Sequence, residues 1–395
     1  MKTRYARLAL IAAVALVGAA CRQGGNSAGK PLYKIGFMGD LTGPTSLLVI
    51  GPMKGAELAI KQANDQDDLP VRLQLGRQDT EGKPDKAASL AQLLAADDRV
   101  LTVIGPAFSG ESFSAGPILQ QAGVPQVTES ATNPGLAQQG WKLWFRALGN
   151  DNAQGGAVPN VVQKVIKGQK VFIGHDNTAY GAGLSAIVAD GFPKEAVVGF
   201  EAVDPGKEDY SALATKIIAS GADVFFWAGY SPEAGKILKQ ARDRGFKGAF
   251  LGPDGSRDDK FLELAGPASQ DAYFVCPCAD VTTSKDSVAE KFLADYKSMF
   301  GEDPIIYSAE GYDSANLIIE AIRKAGDPGG DLGAYRGKLA DNLRGTKGFK
   351  GTTKTYQFRP DGELVPSAVT IYLYRVKDGK YAILGKVSDL VTKAA

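Results

Sequence analysis

The sequence predicts an α/β protein of two doubly wound parallel-sheet lobes joined by a multi-strand hinge. Three observations predict it. Strand-like and helix-like patterns alternate from residue 33, the rhythm of a parallel sheet covered by helices on both faces. That rhythm restarts near residue 150 as a second unit. The last third breaks it, offering helices and then strands, so the chain should return to both sheets and cross between lobes several times.

In order, Tyr33–Phe37 reads as a strand ending in the turn-rich loop Gly39–Pro44. Residues 52–64 follow a helical period, with Met53, Ala56, Leu58, Ala59 and Ile60 on one side. Val71–Gly76 is a strand, 84–96 a helix, Val100–Ile104 a strand, Glu111–Gln121 a helix and Val124–Val127 a short strand. After Trp144–Asn150 come a helix over 153–166, a strand Lys170–Gly174 and a helix Gly181–Phe192. Strands Val197–Val203, Asp223–Ala228 and Ala249–Gly252 then alternate with helices Asp209–Ser220 and Pro232–Arg244. Helices at 286–300, 308–325 and 332–344 precede strands Thr355–Phe358 and Val369–Arg375 and a hairpin at Asp378-Gly379. The resulting organisation is residues 33–150 plus about 282–353 in the first lobe, and 151–281 plus about 354–395 in the second.

The first residues carry an address rather than a fold. Lys2, Arg4 and Arg7 precede an apolar run Leu8–Val17 and the small residues Gly18, Ala19 and Ala20. That is a secretory signal over 1–20, its apolar run too short to span a bilayer comfortably. Cys21 follows directly and resembles the lipidated cysteine of a bacterial lipobox, with Gly18 where a leucine is usual. Residues 21–32 would then be a tether on a lipid anchor. The alternative is plain secretion with an incidental cysteine. Either way the protein works outside the cytosol, where nucleotide cofactors are poor candidates.

Of 395 residues, about 365 remain beyond the leader and tether, enough for two domains. The chain has 45 basic and 44 acidic residues; three basic and no acidic ones fall within 1–20, leaving 42 against 44. A net of −2 with no run of five like charges gives nucleic acid no electrostatic footprint. His175 is the single histidine, which excludes zinc sites needing two. Cys276 and Cys278 remain after Cys21. Two residues apart on a strand, their Cα atoms would lie ~6.5–7 Å apart, at the edge of disulfide geometry, and Pro277 can bend the chain between them. A disulfide and two buried thiols both stay open. No cofactor and no metal are expected.

Open parallel sheets take ligands beyond the C-terminal ends of their strands. Four loops stand there. Gly105–Ser112 leads into a helix whose free N–H groups favour an anion, with Ser109 and Ser112 adding hydroxyls; the plainer role for Ser109 is a helix cap. Thr128–Pro134 offers carbonyls and the hydroxyls of Ser130 and Thr132. Gly229-Tyr230 follows the third strand of the second unit. Gly252-Pro-Asp-Gly255 puts Asp254 at a strand end, in what is also simply a good turn. Tyr180 lies near the end of the strand Lys170–Gly174. An anion site on one lobe facing an anion and two tyrosines on the other suits a zwitterion with an apolar body, a free amino acid.

The segments LTGP at 41–44, GAELAI at 55–60, VIGP at 103–106, HDNTAYGAGL at 175–184, PGKEDYSAL at 205–213 and DVFFWAGYSPEAGKILKQARDRGFKGAFLGPDG at 223–255 carry a resemblance. The chain from Tyr33 onward resembles the substrate-binding proteins of branched-chain amino acid ABC transporters, the leucine/isoleucine/valine-binding family with the type I periplasmic binding protein fold. The resemblance implies that Ser109 holds the ligand carboxylate, that Ser130 and Thr132 accept from the ammonium, and that Asp254 pairs with it. The family usually has the longer Glu at that position. Tyr180 and Tyr230 would wall the side chain, and Tyr312 would sit at the rim. Leu48 replaces a frequent aromatic, so that it and Asp254 should enlarge the pocket. The implied protein is a monomer and no enzyme. It binds leucine, isoleucine or valine at the periplasmic or cell surface and passes the ligand to permease subunits. A ligand-sensing subunit of the same fold, or a binder of another small amino acid or amide, is the nearest alternative.

Two enzyme readings are weaker. Gly181-Ala-Gly-Leu-Ser with Glu201 imitates a dinucleotide fingerprint, yet six residues separate Gly174, the strand end, from Gly181. A hydrolase would rest on His175 without a G-x-S-x-G nucleophile.

Overall fold

Leu32–Gly39 (β1) enters the first sheet fully buried from Ile35 onward. The structure is a computed structural model that describes residues 29–279 and 281–394; the leader and Cys21 lie outside the described residues. The chain continues through Leu47–Gln66 (α1), Arg72–Asp79 (β2), Pro84–Ala96 (α2), Val100–Ile104 (β3), Ser109–Gln121 (α3), Gln126–Thr128 (β4) and Trp144–Arg146 (β5). These strands form a sheet in the order β2-β1-β3-β4-β5, every pair parallel. The period of two decides which face each side chain serves. Ile35 and Phe37 of β1 pack into the core with Ala56, Ala59 and Ile60 of α1. Met38 points the other way, onto Ala87, Ala91 and Leu94 of α2 and Ala115 and Leu119 of α3.

Asp151–Asn160 (α4) runs into one π-helical turn at Val161–Ile166, where sequence periodicity predicts an unbroken helix. Val171–His175 (β6), Ala179–Asp190 (α5), Val197–Ala202 (β7), Ser211–Ala219 (α6), Val224–Ala228 (β8), Ser231–Asp243 (α7), Ala249–Gly252 (β9), Asp259–Ala265 (α8) and Tyr273–Cys276 (β10) build the second unit. β3 and β8 are buried throughout and apolar except for Thr102, whose hydroxyl donates to the Pro125 carbonyl, as suits strands covered on both faces.

Ser287–Phe300 (α9), Ser308–Ala325 (α10) and Leu332–Arg344 (α11) then return to the first sheet's side. α1 and α10 approach closely enough that a Cβ on Gly55 would fall onto the Ser308 carbonyl, and one on Gly311 onto the Pro52 backbone. Lys347–Lys350 (β11) and Thr355–Gln357 (β12) form a small separate hairpin. Tyr372–Lys377 (β13) and Lys380–Lys386 (β14) add antiparallel strands to the second sheet, and Val387–Lys393 (α12) ends the described chain. The second sheet reads β14-β13-β10-β9-β8-β6-β7.

The tail departs from expectation in two ways. It completes the second sheet but adds no strand to the first. The Arg146 N–H at the edge of β5 donates to the Gly362 carbonyl at 2.9 Å, while Phe358 and Leu364 bridge each other and turn the chain back. Residues 355–364, expected with the second lobe, therefore pack beside the first sheet, with Phe358 edge-on to Phe145 at 5.3 Å. The sulfurs of Cys276 and Cys278 are joined, with Cα atoms 5.1 Å apart. That is closer than a straight strand allows, because Pro277 bends the chain just past β10. Among the described residues, no helix is long and apolar enough to cross a membrane.

Candidate functional site

Strand ends from both sheets converge on a cavity with about 240 Å³ of empty space. Its lining includes Leu48, Phe108, Ser109, Ser130 and Thr132 from the first sheet's side, and Tyr180, Tyr230, Asp254 and Gly255 from the second.

The first wall is built from two loops stitched together. The Ser130 hydroxyl donates to the Ala107 carbonyl at 2.8 Å, and the Thr128 hydroxyl to the Pro106 carbonyl at 3.0 Å. Ser109 Oγ accepts from the Asn133 N–H at 3.2 Å, which leaves its O–H to donate. Ser109 is the first residue of α3, behind the cap residue Phe108. The first N–H groups of a helix have no intrahelical acceptor, so this end attracts an anion. The loop from Ala131 to Asn133 is held from behind by fully buried Arg146. Its guanidinium donates to the Ala131 carbonyl at 2.5 Å and the Asn133 carbonyl at 3.0 Å, and pairs with Glu363 at 2.8 Å.

The second wall carries charge. Asp254 is buried at the end of β9, and three side chains donate to it: Tyr180 Oη at 2.5 Å, Gln154 Nε2 at 2.8 Å and Tyr307 Oη at 2.5 Å. Burial first, and then the Asp254 charge, push the Tyr180 and Tyr307 hydroxyls well above their ordinary pKa, so both remain donors. Gly255 is required here, since a Cβ would meet the Tyr180 ring at 2.8 Å. Asp176 accepts from the Tyr230 N–H at 3.2 Å, and the Ser256 hydroxyl donates to the Gly229 carbonyl at 2.6 Å, so these loops too are tied. Tyr230 stacks at a tilt on Tyr180 at 5.2 Å and meets Phe108 edge-on at 5.0 Å, closing the apolar end across the two walls.

Six of the residues singled out from sequence therefore line one cavity: Ser109, Ser130, Thr132, Tyr180, Tyr230 and Asp254. Tyr312 does not. It lies on α10 facing α1 and α9, with its hydroxyl on Gln62 at 2.7 Å and its ring 4.9 Å from Phe292. The tyrosine of this segment that does line the cavity is Tyr307, the residue before α10, held at φ +63°. That left-handed conformation aims an aromatic away from the helix it precedes, which helical periodicity does not signal. The expected enlargement of the pocket is also offset, because Tyr307 reaches the shortened acid. Phe108 was missed because it sits between the motif VIGP and Ser109 without a motif of its own. Gln154 and Asp151 follow β5, and extending the strand-end rule to that fifth loop finds both.

The rival readings lose their footing. Gly181 and Gly183 lie inside α5, which begins at Ala179, rather than in the turn before it. His175 Nδ1 accepts from the Asn177 N–H, its ring packs on Phe200 at 5.4 Å, and burial lowers its pKa. Among the described residues no three His, Cys, Asp or Glu side chains gather as a metal site.

The model of the family described as "Periplasmic binding protein" matches residues 33–380. The chain belongs to the periplasmic binding protein family. Its relatives include a leucine-, isoleucine-, valine-, threonine- and alanine-binding protein of Pseudomonas aeruginosa, 31% identical over 91% of this chain and 96% of that one. Among solved structures it is similar to the leucine binding protein LivK of Thermotoga maritima (TM-score 0.80, 27% identity, 90% of this chain and 98% of that one). It is equally similar to LivJ of Streptococcus pneumoniae in complex with isoleucine (TM-score 0.79, 28% identity, 90% and 99%).

Proposed function

We propose that this periplasmic binding protein captures a free L-amino acid, with leucine, isoleucine and valine as its preferred ligands, and delivers it to an ABC permease. One observation carries the reading: a small apolar cavity has a helix N-terminus at one side and a buried carboxylate at the other. A zwitterion meets both ends. Its carboxylate takes the N–H groups of α3 and the Ser109 hydroxyl. Its ammonium takes Asp254, the Thr132 hydroxyl and the main-chain carbonyl of Ser130. Leu48, Phe108, Tyr180 and Tyr230 surround the aliphatic side chain.

Two lobes close on the ligand about the three chain crossings, those after β5, after β10 and before β13. Contact with both walls favours the closed state by the ligand's differential affinity for it. The protein acts as a monomer held outside the cytoplasm by a lipid on Cys21, and it is a carrier without catalysis. The amino-acid ligands named for the relatives support this reading.

A thermal-shift screen of the twenty amino acids and small amides tests it. Stabilisation by branched aliphatic amino acids is expected, with differences among the three worth only ~1–3 kcal/mol. Stabilisation by amides or polyamines alone overturns the ligand assignment. Scattering with and without leucine should show compaction, and unchanged dimensions alongside binding overturn the hinge.

A further inference from the structure

Asp151 has no part in the capture described above. It opens α4 and is fully buried, and neither carboxylate oxygen has a hydrogen-bond partner. Its N–H donates to the Thr132 carbonyl at 2.9 Å, which sets it directly behind the loop that contributes Thr132 to the cavity. Gln154, one turn further along α4, donates to Asp254. The same helix face thus serves both acids.

The groups facing Asp151 come from four elements: Asp254 after β9, Arg146 on β5, Glu363 beside it, and Thr132, with the Tyr180 and Tyr230 rings nearby. Arg146 is already committed to Glu363 and to the carbonyls of Ala131 and Asn133. Two buried carboxylates facing one another do not both ionise without a cation. Asp254 already accepts from three side chains, whereas Asp151 accepts from none. Burial and the Asp254 charge push Asp151 well above the carboxylate range. Two influences already favour its anion: the α4 N-terminus and the Arg146 charge. Burial, the Asp254 charge and the Glu363 charge oppose it, and an ammonium on Asp254 removes one of these three.

We propose that Asp151 is a second carboxylate of the ammonium site, acting behind Thr132 and Asp254, and that docking of the ligand's ammonium releases a proton from it to solvent. One cation enters as another leaves, so the net charge of the buried cluster is unchanged. The Asp151 O–H bond breaks, water takes the proton, and no other covalent bond changes. Thr132 then accepts from the ammonium and turns its own hydrogen to Asp151. This is a positioning role, and it rests on the amino-acid reading above.

Calorimetry with L-leucine in phosphate and in Tris, which differ in ionisation enthalpy, counts the protons. The expected result is release approaching one proton per ligand, with affinity rising by up to about tenfold per pH unit and then levelling off. Asp151→Asn should still bind leucine but lose both the release and the pH slope. Equal heats in the two buffers from about pH 5.5 to 8.5, or equal release from the variant, overturn the proposal. Should the variant fail to fold, carbon-13 carboxyl NMR of aspartate-labelled wild type decides. One carboxyl should titrate far above the others and move to lower pH when leucine is added; a leucine-insensitive set of titrations overturns the coupling. Failure of wild type to bind any of the twenty amino acids refutes the underlying reading as well, whereas binding without proton release refutes the coupling alone.

Discussion

The two walls of the cavity solve the same problem with different chemistry. On the first, Thr128 and Ser130 spend their hydroxyls on the backbone of the neighbouring loop, and what faces inward is the main chain and a helix end. On the second, what faces inward is the carboxylate of Asp254, fixed by the side chains of Tyr180, Gln154 and Tyr307. A wall of backbone tolerates most single substitutions because the N–H and C=O groups stay. A wall of one charge does not. Recognition of the ligand's two ends should therefore respond very differently to mutation.

The largest effect is expected where the backbone wall is braced. Arg146→Met strands Glu363 as a buried charge and frees two loop carbonyls. Breaking a buried pair in this way costs about 3–5 kcal/mol. Denaturant unfolding should show a loss of that size; a loss near zero would mean the loop stands without its brace. Asp254→Ala comes next. Removing a buried charge partner typically costs ~2–5 kcal/mol of binding, so leucine affinity should fall at least tenfold by calorimetry. Equal affinity would move the ammonium elsewhere.

A third test sharpens the contrast through pH. Glu129 and Glu111 are buried behind the first wall, and desolvation raises each to about 8. An acid whose folded pKa is raised binds its proton more tightly when folded. Its contribution is full below the unfolded pKa, near 4.5, and is lost as pH rises toward about 8. Glu129→Gln should flatten this fall, removing a slope that approaches about 1.4 kcal/mol per pH unit over that window. Parallel stability curves for variant and wild type would show that Glu129 is charged in the fold. Ser109→Ala should have the smallest effect, about 0.5–1.5 kcal/mol of affinity, because the N–H groups of α3 remain. A loss matching that of Asp254→Ala would erase the distinction between the walls.

The same contrast governs what the sequence made legible. Backbone walls follow from strand ends, turn residues and helix starts, and those are written locally: VIGP before Ser109, and Pro-Asp-Gly around Asp254. Six cavity residues and most elements could be read this way, although α8, β10, β11 and α12 were not. Side chains that arrive from far along the chain could not. Tyr307 stands 53 residues from Asp254 and departs from its helix through a positive φ, and the family resemblance pointed to Tyr312 instead. Glu363 reaches Arg146 across 217 residues, from a segment whose short strands gave no hint of which sheet it would meet. β10 was missed because it is only four residues long and sits just before the Cys-Pro-Cys bend.

The antiparallel pairing of β10 with β13 reaches beyond ligand binding. β9 and β10 lie next to the last two strands in space, although about a hundred residues separate them along the chain. Until Lys377 has been made and delivered, β10 presents a bare row of N–H and C=O groups, the kind of edge that recruits strands from other chains. A nascent or prematurely stopped chain lacking its final strands would thus be sticky rather than merely incomplete. The last strands to be synthesised are the ones that make the second sheet safe from aggregation, so an export route that keeps the chain unfolded until it is whole would suit this topology.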